Sequence, residues 1–232
     1  MSAGGGQREE ILARIREALR VPAPRPHDGQ HQEAGARAPQ ASQPRAWLPV
    51  VPPDAEGRLA LFRKNCVQLR TDFHLVGSDA EAAQTLANLR DANQWTCAAT
   101  HRHPLLDAVV QSLGIETVVV ESRPEIHALE RCSAGITACD ALVAQTGSIL
   151  LTARSAGGRA LSVLPPHHVV VARLDQLVPD LPAAFDLLYA RYGGNYSSFA
   201  TFITGPSRTG DIERILVLGA HGPRNLTVIL IR

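Results

Sequence analysis

The side chains best suited to chemistry are concentrated near the end of the chain, in GPSRTGDIE at residues 205–213. Ser207 or Thr209 could cap a short helix that runs through Asp211. The positive end of that helix and the Arg208 guanidinium would together bind a carboxylate or a phosphate. The alternative is a capped turn in which Asp211 pairs with Arg208. This segment therefore predicts either an anion-binding site or a structural turn.

A histidine follows in the next turn, His221 in AHGP at residues 220–223. The apolar run ILVLG at 215–219 predicts a strand before it, which would place His221 at a carboxyl end of that strand. Histidine there can donate a hydrogen bond or carry a proton, or it can simply satisfy a local carbonyl. His221 and Asp211 are the candidates for a catalytic role. No order of Ser, His and Asp typical of a triad and no trio of metal ligands accompanies them.

The turn QTGS at residues 145–148 lies between two apolar runs. Gly147 can adopt a positive φ there, which predicts a hairpin. The hydroxyl of Thr146 and the backbone N–H of Gly147 could also hold an anion, and the two interpretations are compatible.

Two other motifs give weaker signals. The segment GGR at 157–159 lacks the third glycine of a dinucleotide-binding fingerprint. His167 and His168 are adjacent, so on a strand they would point to opposite faces and could not easily share a metal.

Helix and strand patterns alternate from residue 55 onward. Strands are predicted at 73–77, 95–99 and 117–121, separated by helices, and this spacing is typical of βαβ units. Short, continuously apolar strands favour a parallel sheet covered on both faces by helices. The second half reads as consecutive strands (ITACDALVA, ILLTA, LSVLP and HHVVVA) and then a helix near 180–191. We expect the site in this second half, because ligands gather where open sheets change connectivity.

The first 54 residues have a different character from the rest. Residues 1–20 contain an amphipathic helix with an apolar stripe at Ile11, Ile15 and Leu19. Residues 21–54 are rich in Pro, Ala and Gln and predict an extended linker. Residues 55–232 form the main domain. The N-terminal stripe would be buried only by docking on that domain or on another chain.

Composition excludes several classes of function. The net charge of +1 with dispersed Lys and Arg does not favour a nucleic acid partner. No apolar stretch is long enough for a membrane span, so a cytoplasmic protein is expected. Cys66, Cys97, Cys132 and Cys139 lack the spacing of an iron–sulfur or zinc motif and are interpreted as small buried side chains. No cofactor or metal is therefore predicted in this chain itself.

Three stretches together are recognisable: ITGPSRTGDIERILVLGAHGPRNLTVIL, ALVAQTGSILLTA and LSVLPPHHVVVA. They resemble the LUD domain family over roughly residues 55–232. The resemblance implies a Rossmann-like α/β open sheet with additional strands, similar to the fold of ribose-5-phosphate isomerase and CoA transferases. The family motif falls on the ligand-binding candidates Thr146, Gly147, Ser207, Arg208 and Thr209, and on the catalytic candidates Asp211 and His221.

The resemblance also implies a function. Members of this type are similar to an accessory subunit of a system that oxidises L-lactate to pyruvate, in which partner subunits carry the iron–sulfur clusters. A small anionic ligand or cofactor would bind this chain. Gln145 stands where many relatives have Glu, so acyl transfer of the CoA-transferase type is not expected through that position. The alternatives are an autonomous enzyme acting on a phosphorylated sugar, folate or CoA ester, and a non-catalytic interaction module.

Overall fold

The computed structural model describes residues 48–121, 126–193, 195–210, 216–218 and 221–232, together with residues 9, 12–14, 16, 17 and 20. The chain divides into two compact units, residues 1–46 and residues 47–232. In the first unit, residues 9, 12–14, 16 and 17 are helical, within residues 1–20, where the amphipathic helix is predicted. All three sheets of the described residues belong to the second unit.

A six-stranded parallel sheet forms the centre of the second unit. Its order is β1-β12-β7-β4-β2-β3, and every neighbouring pair is parallel. Parallel neighbours require crossover connections, which the predicted helix–strand alternation supplies. The strands are β1 (Asp72–Val76), β2 (Cys97–His101), β3 (Glu116–Val120), β4 (Ala134–Thr137), β7 (His167–Arg173) and β12 (Asn225–Ile231).

The strand-dense second half builds a separate sheet of four strands. Its order is β8-β5-β6-β9, with antiparallel pairing of β5 with β6 and of β6 with β9. A two-stranded antiparallel ribbon of β10 and β11 follows in the chain. These strands are β5 (Ala141–Val143), β6 (Ser148–Thr152), β8 (Leu177–Val178), β9 (Ala200–Ile203), β10 (Arg208–Gly210) and β11 (Leu216–Leu218).

Four of the described helices in the second unit begin at side-chain caps that the sequence supplies. The bounds of the helices are α1 (Ala55–Leu69), α2 (Asp79–Ala92), α3 (Pro104–Val110), α4 (Ile126–Glu130) and α5 (Leu181–Tyr192). Asp54 and Asp180 each accept a hydrogen bond from a backbone N–H of the first turn, as N-caps do. Ser78 accepts from the N–H of Glu81, while the Glu81 carboxylate accepts from Gly77 rather than from Ser78. In a regular capping box the glutamate would accept from the N-cap residue itself, so here its hydrogen bond is displaced by one residue.

The core has two layers of contact, one on each face of the parallel sheet. Val169, Val171 and Ile229 pack with α2 and α3 on one face. The neighbouring residues Val170 and Val228 pack with α1 and the four-stranded sheet on the other. This alternation follows from the two-residue period of a strand. Helices therefore cover one face as predicted, whereas the second sheet and α1 share the other.

The prediction for the cysteines is confirmed, whereas one strand prediction is wrong. All four cysteines are buried and free, as expected, and burial raises the pKa of the Cys66 thiol to about 12.

The strand predicted for LSVLP at 161–165 is wrong, because Ala160–Ser162 forms a short 3-10 helix followed by turns. The N–H groups of Val163 and Leu164 both donate to the carbonyl of Ala160. The prolines that follow have no N–H with which to continue a strand.

Candidate functional site

A small pocket lies where the GPS segment at 205–207 meets the HGP segment at 221–223. The two segments are held together because the N–H of Ser207 donates to the carbonyl of Pro223 over 2.9 Å. Glycine at position 222 favours this close approach, since a Cβ there would lie 3.3 Å from the Cβ of Ser207. The pocket has a volume of about 180 Å³. That is below the roughly 300–1,000 Å³ of sites for drug-sized ligands, so it suits a smaller molecule.

The pocket combines an apolar wall with four polar side chains. Ser162, His168, Ser207 and His221 supply the polar groups. The apolar wall consists of Val163, Ile203, Pro206, Pro223 and Leu226. Hydroxyl and imidazole groups can hydrogen-bond a carboxylate or hydroxyl oxygen of a ligand.

His168 is the buried member of this set, with 1% of its surface exposed. Its Nε2 shares a hydrogen bond of 2.9 Å with the Thr137 hydroxyl, while its Nδ1 has no partner among the described residues. Burial, and then the neighbouring His167, lower the pKa of His168 to about 3. The ring is therefore uncharged at neutral pH.

His167 points to the opposite face of β7, as the alternation predicted. Its Nε2 shares a hydrogen bond of 2.8 Å with the Thr227 hydroxyl, and its ring packs edge-on against Trp95. Burial lowers the pKa of His167 to about 4. Two adjacent imidazoles are thus buried and neutral, and one of them lines the pocket.

The QTGS turn is connected to the pocket segments through hydroxyl groups. Thr146 and Ser148 share a hydrogen bond of 2.8 Å, and Ser148 shares another of 2.8 Å with Thr204, which precedes Gly205. The predicted hairpin is confirmed, because β5 and β6 pair across this turn and Gly147 has a φ of +67°. Thr146 and Gly147 are not among the residues that line the pocket. Their connection to it is structural.

Asn65 on α1 fixes that turn in place. Its side-chain amide donates to the carbonyls of Ala144 and Gln145, at 2.8 and 3.0 Å. A Cβ on Gly147 would lie 2.8 Å from the Cβ of Asn65, so glycine is needed for close packing as well as for its φ. The turn is therefore built around the end of α1.

Arg208 also contacts α1 rather than the pocket. Its Nη2 donates to the carbonyl of Leu69 at the end of that helix, and the side chain is exposed. The short helix predicted to begin at Ser207 or Thr209 is wrong, because Arg208–Gly210 is a strand that pairs with Leu216–Leu218. Pairing with a neighbouring strand satisfies the backbone groups that a helix would have used. The Thr209 side chain, Asp211 and Glu213 lie outside the described residues.

The structure thus brings Ser207 and His221 together and adds two residues that the sequence did not single out for this pocket. The two-residue alternation after Pro166 could have selected His168, because only one of the adjacent histidines can face this side. Ser162 was hidden by the wrong strand prediction for LSVLP. The pocket lies beside the first residues of β7 and β12, at the amino edge of the parallel sheet.

The described part of the chain lacks two features, a metal-binding cluster and a membrane-spanning helix. Within it, no group of three or more His, Cys, Asp or Glu side chains is arranged to hold a metal ion. In the same residues, no helix has the length and apolar character needed to cross a membrane.

The architecture defines an α/β protein with a parallel six-stranded sheet, a second sheet and a small, largely apolar pocket with four polar residues in its lining at one edge. The LUD domain matches residues 59–231, and the chain belongs to the LUD domain family. This confirms the resemblance found in its sequence.

Named relatives and one solved structure are similar to most of the chain. Lactate utilization protein C of Anoxybacillus flavithermus is 29% identical over 186 residues, which cover 75% of this chain and 80% of the relative. The protein of the same name from Geobacillus kaustophilus is 26% identical over 219 residues, covering 85% and 88%. The crystal structure of a DUF162 family protein from Deinococcus radiodurans is similar with a TM-score of 0.61 and 25% identity. It covers 78% of this chain and 100% of that one.

Proposed function

We propose that this chain is an accessory subunit of an iron–sulfur system that oxidises L-lactate to pyruvate, and that it binds a small anionic ligand. Family membership and the relatives named lactate utilization protein C support the role in lactate utilization. The iron–sulfur clusters would be carried by partner subunits. Assignment of the ligand to the pocket between Ser207 and His221 rests on one observation, the convergence of hydroxyl and imidazole groups in a cavity of about 180 Å³.

The residues of the pocket have distinct roles in this proposal. Ser207 and His221 lie on the two segments that meet and would hydrogen-bond the carboxylate or hydroxyl oxygens of the ligand. His168 would offer the same ligand an uncharged imidazole from the buried side. The apolar wall would contact the methyl group of a lactate-sized molecule. Arg208 contributes from outside the pocket, by fixing the segment to the end of α1.

Growth on L-lactate as the sole carbon source tests the role in lactate utilization. A strain that lacks this chain should fail to grow, and the wild-type gene should restore growth. Ser207→Ala and His221→Ala should restore growth poorly, because each removes one hydrogen-bonding group from the pocket. His127→Ala is a matched control, since its side chain is exposed on α4, away from the pocket. Normal growth without the chain would contradict the proposed function.

Anaerobic co-purification tests the accessory role separately. Tagged wild-type protein should retain iron–sulfur subunits encoded nearby, and lactate-dependent dye reduction by the purified assembly should require this chain. If Ser207→Ala still co-purifies but dye reduction falls, the pocket acts in the reaction and not in assembly. Turnover of a phosphorylated sugar, a folate or a CoA ester by the isolated chain would instead favour an autonomous enzyme.

A further inference from the structure

The carboxyl edge of the parallel sheet contains a second pocket, at the end opposite to the Ser207–His221 pocket. The crossover after β2 leads to β3 on one side, whereas the crossover after β4 leads to β7 on the other. The connectivity of the sheet therefore reverses between β2 and β4. In open α/β sheets, ligands bind outside the carboxyl ends of strands at such a point. His101, the last residue of β2, lies there.

This pocket is larger than the first and carries two arginines. Its volume is about 590 Å³. Arg102 comes from the residue after β2 and Arg154 from the loop after β6, while Ser198 adds a hydroxyl. Glu121 is the acidic residue among the lining side chains, and it lies 3.9 Å from Arg102. The lining therefore has a net positive charge, which favours an anion.

His101 is a buried residue of this pocket, and one of its two ring nitrogens makes no hydrogen bond within the described residues. Only 4% of its surface is exposed, and Nε2 has no hydrogen-bond partner among the described residues. A buried polar atom without a partner is costly, so an unpaired one at a pocket marks a place where a ligand atom or ion can bind. Burial, and then the nearby His103, lower the pKa of His101, so the ring is uncharged at neutral pH.

Two glycines of the pocket lining differ in how closely they approach this histidine. Gly157 has a φ of +62°, and a Cβ there would overlap the Cβ of His101. Gly158 has a φ of +101°, and a Cβ built on it would meet nothing within 4 Å. The first glycine thus lets the loop pack on His101, and the second leaves backbone open to the pocket. Gly157 and Gly158 therefore shape this pocket, although they do not belong to a dinucleotide-binding fingerprint.

Arg154 is exposed, but its guanidinium is positioned by contacts with Tyr192 and Asn195. Its guanidinium lies 5.3 Å from the centre of the Tyr192 ring, and its Nη2 donates to the carbonyl of Asn195. The Tyr192 hydroxyl donates over 2.6 Å to Asp140, a carboxylate with no exposed surface. A cation placed over an aromatic ring in this way is oriented before any ligand arrives.

We propose that Arg102, Arg154 and His101 form a second anion-binding site for a ligand that carries a phosphate or a carboxylate group. The two guanidinium groups bind the anion, and His101 Nε2–H donates to one of its oxygens. The site goes beyond the proposed function, because it is at the opposite edge of the sheet from the Ser207–His221 pocket and requires no lactate chemistry.

Titration of the full-length chain with inorganic phosphate, and separately with pyruvate, tests this site by NMR. The ring signal of His101, assigned through residues 100–102, should shift in a saturable way with at least one of the two anions. Tighter binding of phosphate would indicate a phosphorylated ligand, and tighter binding of pyruvate would indicate a carboxylate. Because the His221 signal reports on the other pocket, the two sites are read separately.

Variants of exposed arginines complete the test without disturbing the core. Arg154→Gln and Arg102→Gln should each weaken binding at the His101 signal at least tenfold, as expected for the loss of a charge-assisted hydrogen bond. Arg159→Gln is the matched control, because it removes the same charge from the same loop outside the pocket and should change affinity less than twofold. Equal weakening by all three variants, or an unmoved His101 signal with both anions, would overturn the proposal.

Discussion

Acidification should destabilise the chain through its two adjacent buried histidines, His167 and His168. Their pKa values fall from the ordinary 6.5 to about 4 and about 3, chiefly through burial. The folded state therefore disfavours protonation, whereas the unfolded chain protonates near pH 6.5. The stability that the neutral rings provide is complete above about pH 6.5 and is lost as the pH falls from there towards the folded pKa values. The free energy of unfolding must decrease across this window.

The magnitude follows from the width of the window. Between about pH 6.5 and about pH 5, each unfolded histidine gains a proton that the folded one does not bind, at roughly 1.4 kcal/mol per pH unit. Each histidine therefore contributes about 2 kcal/mol of lost stability, and the pair about 4 kcal/mol, against a typical total of about 5–15 kcal/mol. His101 and His103, whose pKa values are also lowered by burial, act in the same direction.

Urea unfolding of the purified chain at about pH 7.5 and about pH 5 measures this loss. His168→Gln should reduce the pH-dependent loss by about 2 kcal/mol, since it removes one of the two titrating groups. Leu86→Ala, which shortens a buried core side chain on α2, is the control: it should cost about 2–5 kcal/mol at both pH values without changing the difference between them. The reasoning is refuted if His168→Gln loses as much stability on acidification as the wild type does.

Two further predictions concern stability at constant pH and are checked by the same urea midpoints. Gly157→Ala should destabilise the chain by more than about 2 kcal/mol, because its methyl group would overlap His101 and φ is positive. Gly158→Ala shares the positive φ but meets no atom within 4 Å, so it should cost clearly less, and equal costs would contradict the packing argument. Asn65→Ala should cost about 1–3 kcal/mol by leaving two carbonyls of the QTGS turn without their donor. An unchanged midpoint for this variant would show that the turn does not depend on α1.

The parallel half of the fold could be predicted because its signals are local. Apolar runs and caps such as Ser78 place each strand and helix within a few residues, although the strand predicted at 95–99 is observed at Cys97–His101. Register depends on pairing with neighbouring strands, which residue types alone do not specify. For the same reason, the sequence indicated consecutive strands in the second half but not that they form a separate sheet.

The candidate site was predictable in part, and its errors have a common cause. Ser207 and His221 were singled out as polar residues in turns, and the structure brings both into one pocket. The helix expected after Ser207 fails because pairing with Leu216–Leu218, several residues away, determines the conformation of this segment. The contact of Arg208 with the carbonyl of Leu69, which is distant in sequence, was not foreseen, and its role in binding an anion stays a prediction. Both features depend on contacts between segments that are distant in sequence, and local sequence patterns do not predict such contacts.

The most direct test of the central claim is lactate-dependent dye reduction by a reconstituted system of purified partner subunits. The proposal predicts that omitting this chain abolishes the reduction, that wild-type protein restores it, and that Ser207→Ala or His221→Ala restores it only weakly. His127→Ala should restore it fully. Full activity of the partner subunits without this chain would contradict the account.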